Sequence, residues 1–157
     1  MQYYDRQKAV EYAHTWWKYR NPDFYDFEDI GGDCTNFVCQ CLLFGGFKMN
    51  HYDWYYQSLN YRSYSWTGVN EFYSFLISNK TDFGPKGKIV GINELEIGDV
   101  VQLAINSEVF HHTTIITNIQ QPASPETIFI TCHTNDAIDI PLSSYAYKKL
   151  RFIKILS

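Results

Sequence analysis

Apolar residues in the first part of the chain recur three and four positions apart, which is the spacing of a helix with one buried face. In the first such segment they lie at Ala9, Tyr12, Ala13, Trp16 and Trp17. Asp5 can cap this helix at its N-terminus. We expect the helix to end at Arg20, because Asn21 precedes Pro22 and the residue before a proline is disfavoured in helices.

Two further helices are predicted before residue 80. The second has Asp33 as N-cap and Cys34 in its first turn, and it ends at the glycine pair 45–46. Its apolar face consists of Phe37, Val38, Cys41 and Leu42. Thr67 is placed to cap a third helix over residues 69–79. The inward residues of that helix are Phe72, Tyr73 and Leu76.

From about Lys88 the pattern changes to short β-branched runs bounded by Gly, Asn, Pro or Ser, which is typical of strands. These runs cover residues 89–90, 99–105, 110–119, 127–132 and 150–156. Helices followed by strands predict an α+β fold, with N-terminal helices packed on a C-terminal antiparallel β-sheet. The chain has 157 residues and no internal repeat, so we expect residues 1–157 to form a single domain.

Charge and hydropathy exclude several classes of protein. Thirteen Lys and Arg stand against seventeen Asp and Glu without a block of like charge, so we expect no nucleic-acid partner. With 45% hydrophobic and 19% charged residues, the chain is not mostly disordered. No apolar run is long enough for a membrane span, and residues 1–20 lack the apolar segment of a signal peptide. The sequence therefore leaves the localisation open.

Aromatic residues are unusually frequent at 18% of the chain. Rings with a polar tip can build a core, and they can also line a cleft for an extended substrate. Composition leaves both interpretations open. The residues that would line such a cleft come from an aromatic segment without clear period, and they are Trp54, Tyr55, Tyr56 and Trp66.

The four cysteines lie at positions 34, 39, 41 and 132. They form no Cys-x-x-Cys pair, so neither a zinc ribbon nor a thioredoxin-type site is indicated. A zinc site using His111 or His112 with Cys132 and His133 is an alternative, but its ligand spacing matches no common pattern. We therefore expect neither a metal nor another cofactor.

Cys34 is the candidate nucleophile. It follows an N-cap residue, and the free N–H groups and dipole of a helix start favour a thiolate there. Such an environment can lower a thiol pKa from about 8.5 towards roughly 3.5–7.5, and the same N–H groups can bind an oxyanion. The carboxylate of Asp33 opposes this effect. Cys41 lies mid-helix, and we expect it to fill the core.

A nucleophilic cysteine needs a base that a third group orients. The sequence contains five histidines, at positions 14, 51, 111, 112 and 133. His111 and His112 begin one strand and point to opposite sides, so at most one can meet Cys34. His133 ends the next strand, where it could orient His112, with Asn135 as the alternative. A structural role remains open for each of these residues.

Several segments together resemble a bacterial family of amidase domains. These domains are similar to NlpC-type and CHAP hydrolases of the cell wall, a compact branch of the papain-like cysteine peptidase fold. The resemblance covers nearly the whole chain, and its most specific block is Asp-Cys-Thr-Asn-Phe at 33–37. The matching segments are 3–13, 20–22, 32–42, 45–46, 98–102, 112–117 and 132–136.

The resemblance implies an activity and a role for each site residue. Cys34 would be the nucleophile of a cysteine-dependent amidase or peptidase, His112 its base, and His133 or else Asn135 the third member. The oxyanion would bind the Cys34 backbone N–H and a side chain. The candidates for that side chain are Asn21 and Tyr12.

The implied substrate is a peptide or amide bond of peptidoglycan, cleaved through a thioester by an exported or cell-wall protein. We also expect the protein to be a monomer. Two alternatives use the same fold. One is acyl transfer by an effector with the same Cys–His pair. The other is a non-catalytic module that binds the cell wall.

Overall fold

The structure is a computed structural model that describes residues 2–156. These residues form helices and antiparallel β-strands, so the predicted α+β class is confirmed. The helices are α1 (Arg6–Trp16), α2 (Cys34–Phe44), α3 (Tyr64–Thr67) and α4 (Val69–Ser78). The strands are β1 (Tyr56–Ser58), β2 (Tyr61–Arg62), β3 (Lys86–Ile89), β4 (Val100–Ile105), β5 (His112–Ile119), β6 (Ile128–Cys132), β7 (Ala137–Pro141) and β8 (Tyr147–Leu156).

The main sheet has six strands in the order β3-β8-β4-β5-β6-β7, with antiparallel neighbours throughout. Strands β1 and β2 form a separate antiparallel pair. Helices α1 and α2 pack against each other and against the middle of the sheet. Strand β5 therefore lies directly under the first turns of α2.

Several predicted boundaries are wrong. Helix α1 ends at Trp16 rather than Arg20. The Trp16 carbonyl, which has no partner within the helix, accepts a hydrogen bond from Nε2 of His133 at 2.7 Å. The third predicted helix is capped by Gly68 without a side-chain hydrogen bond, not by Thr67. The strands predicted at 89–90 and 150–156 are found as β3 and as the longer β8.

The two faces of the sheet carry separate cores. Helices α1, α2 and α4 cover one face, which receives Ile115 of β5 and Val100 of β4. The opposite face receives their neighbours Ile116 and Val101, which pack with residues of β6. Side chains of successive strand residues point to opposite faces of the sheet, so whether a residue of β5 has an odd or an even number decides whether its side chain faces α2. Odd-numbered positions at the start of β5 face that helix.

A buried carboxylate joins the N-terminus of α1 to the sheet. Asp99 is fully buried just before β4, and its Oδ1 accepts from Arg6 Nη1 at 2.7 Å and from the Ile155 backbone N–H at 2.9 Å. Its Oδ2 accepts from the Glu96 N–H at 2.9 Å. The preceding Gly98 has a φ of 84°, and a Cβ there would lie 2.7 Å from a Tyr4 oxygen. This turn therefore requires glycine.

Within residues 2–156, no helix is long and apolar enough to cross a membrane.

Candidate active site

Cys34 lies where helix α2 meets the start of strand β5. It is the first residue of α2, and its side chain is buried, with 4% of the residue exposed. Its sulfur lies 3.9 Å from the Thr35 hydroxyl. Thr35 and Thr113 are themselves joined through their hydroxyls at 2.9 Å. Thr35 thus links the nucleophile candidate to Thr113, the residue that follows His112.

Burial dominates the protonation of Cys34. Loss of solvent raises the pKa of the thiol, although hydrogen bonds from Thr113 and Thr35 lower it. The charge of Asp33 raises it further, in the direction the sequence predicted. The favourable helix start therefore does not produce a low thiol pKa, and Cys34 is a neutral thiol at rest.

His112 is the first residue of β5 and is also buried. The hydroxyl of Thr113 faces α2, so alternation along the strand directs the His112 side chain to the other face. Its ring lies there, 5.9 Å from the ring of Tyr145. Among residues 2–156 no hydrogen bond joins this ring to Cys34.

Burial also sets the charge of His112. Loss of solvent lowers the pKa of its imidazole to about 4, and the charge of His111 adds to this effect. The ring is therefore neutral at pH 7. Together with the neutral Cys34 thiol, the structure contains an uncharged cysteine–histidine pair rather than a thiolate–imidazolium pair.

His133 contacts the start of α2 and not His112. Its Nδ1 lies 2.5 Å from Oδ2 of Asp33, and its Nε2 donates to the Trp16 carbonyl at 2.7 Å. Both ring nitrogens are therefore engaged away from His112. Asn135, the alternative third member, is exposed in a turn with a φ of 58°. The structure brings neither residue to the His112 ring.

The two oxyanion candidates bind each other. Asn21 donates through Nδ2 to the Tyr12 hydroxyl at 3.1 Å, and Tyr12 donates to Oε1 of Gln40 at 2.5 Å. Burial raises the pKa of Tyr12, so its hydroxyl stays protonated. Gln40 lies in the second half of α2, well beyond Cys34. These contacts favour a structural role for Asn21 and Tyr12.

The aromatic segment contributes mainly to the core, and three of the four rings predicted to line a groove are buried. Trp54 and Trp66 are fully buried, and Tyr56 is 8% exposed. The indole N–H of Trp66 donates to Oδ1 of Asn36 on α2 at 2.8 Å. A partly buried Tyr55 is the exception. The indole N–H of Trp54 contacts the sulfur of Cys39 on the same helix at 3.3 Å, so both indoles serve to pack α2.

The contacts of Asp33 go beyond the N-cap role that the sequence predicts. As N-cap of α2 its side chain makes no capping bond. Its Oδ1 instead accepts from the backbone N–H of Phe27 at 2.9 Å and from Nδ2 of Asn36 at 2.8 Å. The spacing of Asp33 and Asn36 by three residues is visible in the sequence. The pairing of Asp33 with His133, one hundred residues further along the chain, cannot be seen in the sequence.

Within residues 2–156, no group of three or more His, Cys, Asp or Glu side chains is arranged to hold a metal ion. The zinc alternative that used Cys132 and His133 therefore has no ligand cluster in this part of the chain. Cys132 contacts the Tyr145 hydroxyl at 3.4 Å instead.

Comparison with known proteins identifies the family to which the chain belongs. The profile of the family described as "Putative amidase domain" matches residues 3–156. The chain belongs to this amidase family. The match confirms the amidase resemblance and indicates amide hydrolysis as the class of activity. No solved structure matches the chain.

One relative of the amidase domain is the uncharacterized protein YhbB of Bacillus subtilis (strain 168). It is 34% identical over 119 residues, which cover 72% of this chain and 37% of YhbB. The chain thus spans little more than a third of that relative's length.

The pKa of His112 makes the stability of the amidase domain depend on pH. The unfolded chain has the ordinary value of 6.5, whereas the folded domain has about 4, so the unfolded state binds the proton first. Stability is therefore complete above about pH 6.5 and decreases as the pH falls towards 4, by about 3 kcal/mol in total. Urea unfolding at pH 7 and pH 4.5 measures this loss.

The control for this prediction is His112→Gln, which has no titrating ring. Its free energy of unfolding should decrease less between the two pH values than that of the wild type. An equal decrease in both proteins would show that another group is responsible.

Proposed function

We propose that this domain is a cysteine-dependent amide hydrolase in which Cys34 is the nucleophile and His112 the base. The observation that carries the proposal is the contact of the Cys34 sulfur with the Thr35 hydroxyl (3.9 Å), which in turn bonds the hydroxyl of Thr113 (2.9 Å), the residue next to His112. This contact brings the thiol to the start of the strand that carries the imidazole. The first turn of α2 supplies backbone N–H groups for an oxyanion.

Hydrolysis begins from the neutral pair. For the reaction, the His112 ring has to leave Tyr145 and reach the thiol. Because its Cβ points to the other face of the sheet, this requires a change in the backbone at the start of β5 as well as rotation about the Cα–Cβ bond. The ring takes the thiol proton while the sulfur bonds to the amide carbonyl carbon, and the oxyanion forms at the helix start. The C–N bond then breaks, and the imidazolium gives its proton to the leaving amine. Water, deprotonated by His112, cleaves the thioester and restores the thiol.

A papain-like fold of the NlpC or CHAP type is part of this proposal. Its support is the arrangement of the elements, in which a cysteine begins a helix packed on an antiparallel sheet and a histidine begins a central strand. The assignment of His133 or Asn135 as third member loses support from the contacts described above. We therefore restrict the catalytic pair to Cys34 and His112.

We further propose a peptide or amide bond of peptidoglycan as the substrate. The support is the resemblance of segments such as 33–37 and 112–117 to cell-wall amidases. Acyl transfer to an amine uses the same thioester, and the access of water to that intermediate decides between the two reactions. A non-catalytic module would need neither Cys34 nor His112.

The test is mass spectrometry of the reaction with purified peptidoglycan fragments in 18O-labelled water. Hydrolysis through a thioester predicts one 18O atom in each new carboxyl group, and an acyl group on Cys34 after rapid acid quenching. Added amine that replaces water in the product would show acyl transfer. Intact fragments and an unmodified Cys34 would contradict the proposal for this substrate.

A further inference from the structure

We propose that His133 and Asp33 form a buried ion pair that positions Cys34, so that His133 acts on the nucleophile and not on the base. This inference rests on the proposed function, because it assigns a positioning role at the same site. It also makes a different prediction from a catalytic triad, in which the third residue orients the histidine.

The hydrogen-bond partners of His133 define the charge of the pair. The partner of Nδ1 is a carboxylate oxygen of Asp33, and the partner of Nε2 is the carbonyl oxygen of Trp16. Both are acceptors, so the ring satisfies them by donating from both nitrogens. His133 and Asp33 are each 1% exposed, and opposite charges at 2.5 Å compensate each other there.

His133 holds helix α2 on both sides of Cys34. It binds Asp33, the residue immediately before Cys34. Its ring also stacks on Phe37, one turn after Cys34, with ring centres 4.0 Å apart and an angle of 25°. The Trp16 carbonyl adds the end of α1 as a third point of attachment. The first turn of α2 is thereby fixed relative to α1 and to the end of β6.

Asp33 is restrained from other directions as well. Its Oδ1 accepts from Phe27 and Asn36, and its backbone N–H donates to the Thr134 hydroxyl at 3.1 Å. The guanidinium of Arg20 approaches its Oδ2 at 3.7 Å. Rotation or translation of Asp33 would break several of these bonds at once. The ion pair therefore fixes the direction in which the next residue, Cys34, presents its sulfur to β5.

Two single variants and their combination test the pair. Asp33→Asn and His133→Gln should each lower kcat/KM about 100-fold, the order expected for a nucleophile displaced by about 1 Å. The double variant should show the same 100-fold loss and not a 10,000-fold loss, because both residues act as one unit. The alkylation rate of Cys34 by iodoacetamide should follow the same non-additive pattern.

The titration of His112 separates a positioning role from a triad role. The ring signals of His112 in NMR spectra should titrate at the same pH in the wild type and in His133→Gln. The matched control is His14→Gln, which breaks an exposed His–Asp pair of 3.0 Å with Asp139 and should leave kcat/KM and alkylation unchanged. A changed His112 titration in His133→Gln, or multiplicative losses in the double variant, would overturn the inference.

A measurement on the wild type keeps the inference testable if a variant does not fold. Nitrogen NMR at pH 7 should show protons on both ring nitrogens of His133, and a single protonated nitrogen would overturn the ion pair. The alkylation cycle also separates this inference from the proposed function. It requires no substrate, so it remains informative if peptidoglycan is not cleaved.

Discussion

Replacing Cys34 with alanine is expected to reduce amide hydrolysis by at least about 1,000-fold, because no other group can form the thioester. The fold should be retained, since the change removes one sulfur atom at the start of α2. The measurement is the rate of product release from peptidoglycan fragments, with circular dichroism as the test of folding.

Cys41→Ala is the matched control for this prediction. Cys41 is fully buried two turns further along the same helix, where burial raises its pKa well above the ordinary value. Its loss should lower the free energy of unfolding by about 1–2 kcal/mol and leave hydrolysis within about twofold. Equal activity losses in the two variants would indicate that Cys34 contributes only to packing.

Replacing Asp99 with alanine is expected to lower the free energy of unfolding by about 3–5 kcal/mol, the order found when one partner of a buried ion pair is removed. The change leaves the backbone N–H groups of Glu96 and Ile155 without acceptors, and it leaves the guanidinium of Arg6 with only the exposed carboxylate of Glu96 at 3.3 Å. Equilibrium urea unfolding at pH 7 gives the difference directly.

An exposed carboxylate provides the comparison for Asp99. Asp29→Ala changes a solvent-exposed side chain and should alter the free energy of unfolding by no more than about 0.5 kcal/mol. If Asp99→Ala also changed the free energy of unfolding by no more than about 0.5 kcal/mol, the attachment of α1 to the sheet would not depend on this carboxylate.

Local patterns were sufficient to predict the elements that carry the proposed pair. The cap-like Asp33 and the glycines that follow the helix define α2, and so place Cys34 in its first turn. Periodicity likewise identified β5 as the strand that begins near His112. These predictions depend on neighbours in sequence, which is why they could be made from the chain alone.

The contacts of His133 could not be predicted because they depend on register between distant strands. Ile115 pairs with Thr131, and continuing that register places His133 opposite Thr113, on the face of α2. His112 belongs to the other face. If β6 were shifted by one residue relative to β5, His133 would lie on the face of His112 and could orient its ring, instead of binding Asp33. The side-chain pattern within one strand does not reveal how that strand is aligned with its neighbour.

The short strands were missed for a different reason. Strands β1 and β2 contain three and two residues, too few to establish an alternating pattern. Strand β7 includes Asp139, whose φ of 47° is unusual for a strand residue. This segment forms a strand because it pairs with β6, and its own strand propensity contributes little.

The order of the six strands has a consequence for synthesis of the protein on the ribosome. Strand β8 lies between β3 and β4, although it is made after both of them. Until Tyr147–Leu156 emerges, β3 and β4 each expose an edge that nothing covers. At roughly 5–20 residues per second this interval lasts a few seconds. Strands β4 to β7 can pair with one another before β8 emerges, whereas β3 can join the sheet only after β8 has been made. The edges of β3 and β4 are therefore most exposed to aggregation and to chaperones in this interval.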